Sequence, residues 1–141
     1  MFEIEVEEAI DGRRLRSERS VRAIIEAALA LQAEGMLVPT AQQISDRAGV
    51  GIRSFFRHFE DMESLFAAVD VKIRDSYEAL FLGGERDGSI EERIERAVIR
   101  RSEAFESVNN VMQGTLVQLW RYEILRKHYA RNQRGLRKDL E

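Results

Sequence analysis

Side chains suited to charge-assisted hydrogen bonding cluster in one short stretch: Arg53, Ser54, Arg57 and His58 lie together beside Ile52, with Thr40 a few turns upstream. A guanidinium can bond bidentately to the edge of a guanine, and hydroxyl and imidazole groups donate to phosphate oxygens. No nucleophile, general base or metal-ligand set accompanies them. The chain has no glycine-rich phosphate loop, no HExxH spacing and no nucleophile elbow, and its histidines, His58 and His128, stand far apart. The chemistry on offer is recognition of a polyanion, so no enzyme activity, metal or cofactor is expected.

Two short helices must position these groups. Thr40 precedes Gln43 by three residues, the spacing of a capping box, and Pro39 stops whatever comes before. Ala41, Ile44 and Ala48 then form one narrow apolar face, and Gly49 suits the left-handed conformation that ends a helix. Val50, Phe55 and Phe59 give the second helix an inward edge. Ile52, Arg53, Ser54, Arg57 and His58 are left on or near its outward side. This is the pattern of a helix-turn-helix, whose second helix enters a major groove of DNA. Helices this short are not stable alone and need a platform. Val21, Ile24, Ile25, Ala28, Leu29 and Leu31 supply one, in an amphipathic helix expected from Ser17 or Ser20 to Glu34.

With 141 residues, 44% hydrophobic content, one proline and many Ala, Leu, Glu and Arg, the chain is expected to be all-α. It has no cysteine, which excludes disulfides and thiol chemistry. No apolar run approaches a membrane span, and no secretory leader is visible, so a cytoplasmic protein is expected. The net charge of −3 is an average over unlike segments. Residues 1 to 12 hold five acids and no Lys or Arg, residues 13 to 60 hold eight Arg against five acids, and the remainder is nearly balanced. The positive part coincides with the helix-turn-helix, as phosphate binding requires.

Three regions are expected: an N-terminal tail over 1–16, the helix-turn-helix unit over 17–60, and a helical region over 61–141. The tail, in which apolar Phe2, Ile4 and Val6 alternate with acids before a basic stretch, is expected to be irregular. Arg13, Arg14, Arg16 and Arg19 form either an arm that touches phosphate or a solvated lead-in. After Phe59, Glu60 or Asp61 can cap a long helix with an apolar stripe through Leu65, Phe66, Val69, Ile73, Tyr77, Leu80 and Phe81, broken at Gly83 to Gly88. Ser89 and Glu92 form a second capping box for a helix to about Ser107. Asn109 and Asn110 weaken the pattern before it resumes to Trp120, and a last basic helix runs from about Ile124 to Leu140.

The long first helix, TAQQISDRAGV and SFFRHFEDMESLF together resemble the N-terminal domain of the TetR/AcrR family of bacterial transcriptional regulators over roughly residues 17 to 70. The resemblance implies a DNA operator as partner, a homodimer, and an effector-binding and dimerisation domain in the later helices. It implies base contacts from Ile52 and Arg53, and phosphate contacts from Ser54, His58 and Thr40, with Arg57 serving either purpose. Gly51 stands where the family commonly has a Ser cap, Phe56 where it has a Tyr and Met62 where it has a Lys. Two customary phosphate contacts are therefore missing. The later region also looks shorter than the family's, stopping at what reads as a seventh helix.

The expected function is that of a sequence-specific transcriptional regulator, a repressor released by a small apolar or amphipathic effector. The alternative is a helical protein-interaction module that kept the head and lost operator binding. Phe105, Met112, Leu116, Trp120 and Tyr122 either line the effector pocket or pack as ordinary core. His58 serves either as a phosphate donor or to steady a helix end, and His128 reads as a surface residue.

Overall fold

The protein is seen in a computed structural model, which describes residues 2–81 and 84–140, with side chains over 10–78 and 84–138. The expected tail residues Phe2, Ile4 and Val6, and the stripe residues Leu80 and Phe81, have side chains outside that set. Six helices and no strand occur among the described residues: α1 Phe2–Ala33, α2 Ala41–Ala48, α3 Ile52–His58, α4 Met62–Phe81, α5 Ile90–Leu116 and α6 Glu123–Leu140.

The head is built where the apolar periodicity places it. Ile24, Ala27, Ala28 and Leu31 of α1 meet Ile44 of α2, Phe55 and Phe59 at α3, and Leu65 of α4. Ile24, Ile44, Phe55 and Leu65 are fully buried, so each short helix is held by at least one anchor of substantial size. Arg47 of α2 also grips Glu34, just past the end of α1, through two bonds of 2.6 and 2.8 Å. Those bonds hold the Glu34 carboxyl below its ordinary pKa.

Two sequence expectations fail here. The supposed tail is helical, because α1 runs without interruption from Phe2 and spans about 48 Å at 1.5 Å per residue. Glutamates near a helix start are favoured by the macrodipole, and no proline interrupts the run. Arg13, Arg14, Arg16 and Arg19 are exposed on the part of α1 that projects beyond the core, where Arg14 meets Glu18 at 3.4 Å. The second failure concerns Asn109 and Asn110, which do not break α5. Asn110 donates to the Ala33 carbonyl at 3.0 Å and Asn109 accepts from Gln113 at 3.3 Å, so their amides find partners without unwinding the helix. The described helices are therefore six, where the sequence suggested seven.

Beyond the head, α4 is the shared element, packing on α1 at one end and on α5 and α6 at the other. Asp61 caps it, accepting from Ser64 N at 2.8 Å. Ala104 and Val108 of α5, with Tyr77, Met112 and Leu136, form a second and smaller core. Gly114 lets α5 approach the α1–α2 connection, since an added Cβ would lie 2.6 Å from the Leu37 carbonyl oxygen. The Ser89–Glu92 capping box forms as the spacing predicts. The exposed charges nearby do not all pair along the helix: Arg96 reaches back to the Asp87 carbonyl and carboxylate.

Candidate nucleic-acid interface and effector cleft

The turn between α2 and α3 follows from its sequence. Thr40 Oγ1 accepts from Gln43 N at 3.2 Å while Thr40 N donates to Gln43 Oε1 at 2.9 Å, completing the capping box. Gly49 adopts φ 70° and ψ 28°, and its N–H and that of Val50 return to the Asp46 and Ser45 carbonyls. A side chain at Gly49 would be strained there. Gly51 begins α3 without a side-chain cap, so Phe55 carries the docking: it is fully buried, 5.9 Å from the Phe59 ring and 5.1 Å from that of Phe56.

With Phe55 inward, Arg53 and Arg57 stand exposed on the other side of α3. Arg57 donates to Ser54 Oγ at 3.0 Å, which leaves the serine proton and the remaining guanidinium donors available for an acceptor. Arg53 has no partner among the described residues. The structure thus brings Arg53, Ser54 and Arg57 onto one surface. Thr40 is exposed as well, but its hydroxyl is engaged by the cap.

Ile52 and His58 sit differently from the outward placement predicted for them. Ile52 is half-buried and packs against the head core. His58 is also half-buried, and its Nε2 is enclosed with no hydrogen-bond partner among the described residues, so that nitrogen is not presented to a phosphate. Phe56 is half exposed, whereas Met62 packs against the core. A residue facing two ways at the start of a seven-residue helix is not resolved by periodicity alone.

A cleft of about 150 Å³ lies between α4, α5 and α6 and reaches Gln32 of α1. Phe105 and Met112 line it together with Phe66, Ile73 and Leu136, and Met112 and Leu136 also pack in the second core. Leu116 and Trp120 do not. Trp120 is 80% exposed and Leu116 is 46% exposed, because the α5 helix ends at Leu116 and the following turn carries the indole away. Tyr122 instead packs edge-on against Phe66 at 5.1 Å.

The polar end of the cleft was missed in the sequence. Asp70, only 8% exposed, accepts from Arg131 of α6 at 2.6 and 2.9 Å and from Arg74 at 2.6 and 3.2 Å. Burial alone would raise the Asp70 pKa, but the bonds from Arg131 and then Arg74 outweigh it and hold the carboxyl below its ordinary value. His128 is not a surface residue: its Nε2 lies 3.8 Å from Asp70 Oδ2, and burial, helped by the two arginines, keeps its pKa low against the pull of Asp70. Burial, with Asp70 nearby, pushes the Tyr77 hydroxyl to about 12. An acid inside the apolar stripe of Phe66, Val69 and Ile73 was the available signal. Its partner, 61 residues away, was not legible.

A capped α2, a left-handed glycine turn and a buried-aromatic α3 with basic outer residues define a helix-turn-helix domain of DNA-binding transcription regulators. Residues 24–69 match the family model of the bacterial regulatory proteins of the tetR family. Over those residues the chain is similar to the N-terminal DNA-binding domain of that family. No curated protein and no solved structure matches it. No helix among the described residues is long and apolar enough to cross a membrane.

Proposed function

We propose that this chain is a sequence-specific DNA-binding regulator that represses transcription as a homodimer in the bacterial cytoplasm and is released by a small amphipathic effector. Arg53 reads a base edge, the Ser54–Arg57 pair holds a phosphate, and Thr40 and the exposed part of His58 approach the backbone. Ile52 contributes only the exposed part of its side chain, as an apolar base contact. The observation that carries this reading is the uncovered surface of Arg53, Ser54 and Arg57 opposite a fully buried Phe55. The cleft supports the effector half, because α4 contributes both Leu65 to the head and Asp70 to the cleft. A ligand favouring one setting of α4 would shift the spacing of two heads relative to successive major grooves.

Selection from randomised duplexes, followed by binding at several salt concentrations, tests the proposal. A selected duplex should bind more tightly than random DNA, with an affinity that falls as salt rises. Equal binding of selected and random DNA at low salt would refute it. The second reading, an interaction module without operator binding, draws on Phe56, an aromatic half exposed on the surface meant for phosphates. Absence of any selected duplex would favour that reading.

A further inference from the structure

The chemistry of the cleft narrows what it can hold, given that the effector reading above assigns it to a ligand. Its walls are apolar and aromatic, from Phe66, Phe105, Tyr129, Ile73, Met112 and Leu136. Its volume, about 150 Å³, is that of a cavity that accommodates a single benzene-sized ring.

The polar end is unequal in donors and acceptors. Asp70 is its one buried acid, and both of its oxygens are taken: Oδ1 by Arg131, and Oδ2 by Arg131 and Arg74, with His128 close by. Neither guanidinium is exhausted. Arg74 bonds through Nε and Nη2 and, among the described residues, leaves Nη1 without a partner. Arg131 spends Nη1 and Nη2 on Asp70 and Asn132 and, among the described residues, leaves Nε–H. Arg74 and Arg131 remain 43% and 31% exposed, so an incoming group can reach them. Glu78, the second acid lining the cleft, is exposed and therefore screened by water. A ligand head entering here meets unspent N–H donors beside a spent acceptor.

We propose that the cleft binds a monocyclic aromatic carboxylate, with its ring between Phe66, Ile73 and Met112 and its carboxylate on the free donors of Arg74 and Arg131. Guanidinium donors match a carboxylate in geometry and charge. An ammonium group would face the arginines with both oxygens of Asp70 already taken, and an alcohol would forgo the ionic part of the interaction.

Benzoate, benzyl alcohol, benzylamine and acetate form the test set, titrated into the full chain by calorimetry and by thermal melting. Benzoate is expected to bind and to raise the melting temperature by several degrees at saturation. Benzyl alcohol and acetate, each lacking one half of the match, should bind at least about tenfold more weakly. Met112→Trp, which fills the apolar end, should abolish benzoate binding. Arg74→Gln should weaken it at least about tenfold while Arg131 still holds Asp70. Benzylamine or benzyl alcohol binding as tightly as benzoate would overturn the proposal, as would benzoate binding that neither variant reduces, or no binding by any of the four. DNA selection is run on the same preparation. Selective DNA binding without benzoate binding removes the ligand class and leaves the regulator standing, whereas benzoate binding without selective DNA binding does the reverse.

Discussion

Replacing Thr40 separates its cap from its proposed meeting with phosphate. Thr40→Ala removes the hydroxyl that accepts from Gln43 N at 3.2 Å and leaves the reach-back bond from Thr40 N without its counterpart. Both groups are exposed, so water recovers part of the loss, and the expected cost is about 1 kcal/mol. For a chain of this size that is a melting temperature lower by roughly 3 °C. Thr40→Asp should not melt lower, because aspartate caps at least as well as threonine and its charge suits the start of α2. If Thr40 lies against the DNA backbone, however, that carboxylate faces a phosphate. Two like charges about 4 Å apart repel by about 1 kcal/mol in water and about 4 kcal/mol at an effective dielectric of 20, so affinity should fall by at least about fivefold. Circular-dichroism melting and fluorescence anisotropy at two salt concentrations read the two effects separately, with the DNA penalty of the aspartate shrinking as salt rises. An unchanged melt for Thr40→Ala would refute the cap. Native DNA affinity for Thr40→Asp would remove Thr40 from the interface.

Gly114→Ala puts a Cβ 2.6 Å from the Leu37 carbonyl and 2.9 Å from Gln32 Nε2, and should destabilise the chain by about 1 to 3 kcal/mol in urea unfolding. Phe56→Tyr adds a hydroxyl on an exposed edge; it should tighten DNA binding without altering the salt slope or the melt, as anisotropy over a salt series would show. Two pH windows follow from the polar end of the cleft. The folded pKa of His128 is depressed, so its contribution is present above its unfolded pKa near 6.5 and is lost as pH falls through the folded value; His128→Gln should flatten urea midpoints across that range. The Asp70 pKa is also depressed, with its contribution present above its unfolded value near 4 and lost as pH falls through the lower folded one. Asp70→Asn should therefore be less stable than the native chain at pH 7, and the difference should close in strong acid.

Local signals were legible in the sequence and distant pairings were not. Thr40 with Gln43, Ser89 with Glu92 and Gly49 each act within one turn, and all three form as their spacing predicts. The core face of α1 was also legible, because Ile24, Ala28 and Leu31 repeat at helical spacing over several turns. The continuity of α1 from Phe2, and of α5 through Asn109 and Asn110, was not. Helix ends there depend on the absence of a breaker and on a distant acceptor, the Ala33 carbonyl, rather than on a positive local signal. Of the residues expected at an apolar pocket, Phe105 and Met112 line the cleft while Leu116, at the end of α5, and Trp120, in the turn beyond it, lie outside it. The tie between Asp70 and Arg131 joins two helices through a fold that no spacing encodes.

The central claim is that the outer surface of α3 reads DNA sequence, and Arg53→Ala measured against every single-base variant of a selected operator tests it most directly. The expected result is a loss of about 1 to 3 kcal/mol on the selected operator, with discrimination lost at one base pair in each half-site and kept elsewhere. An equal loss on all sequences, or no loss, would contradict it.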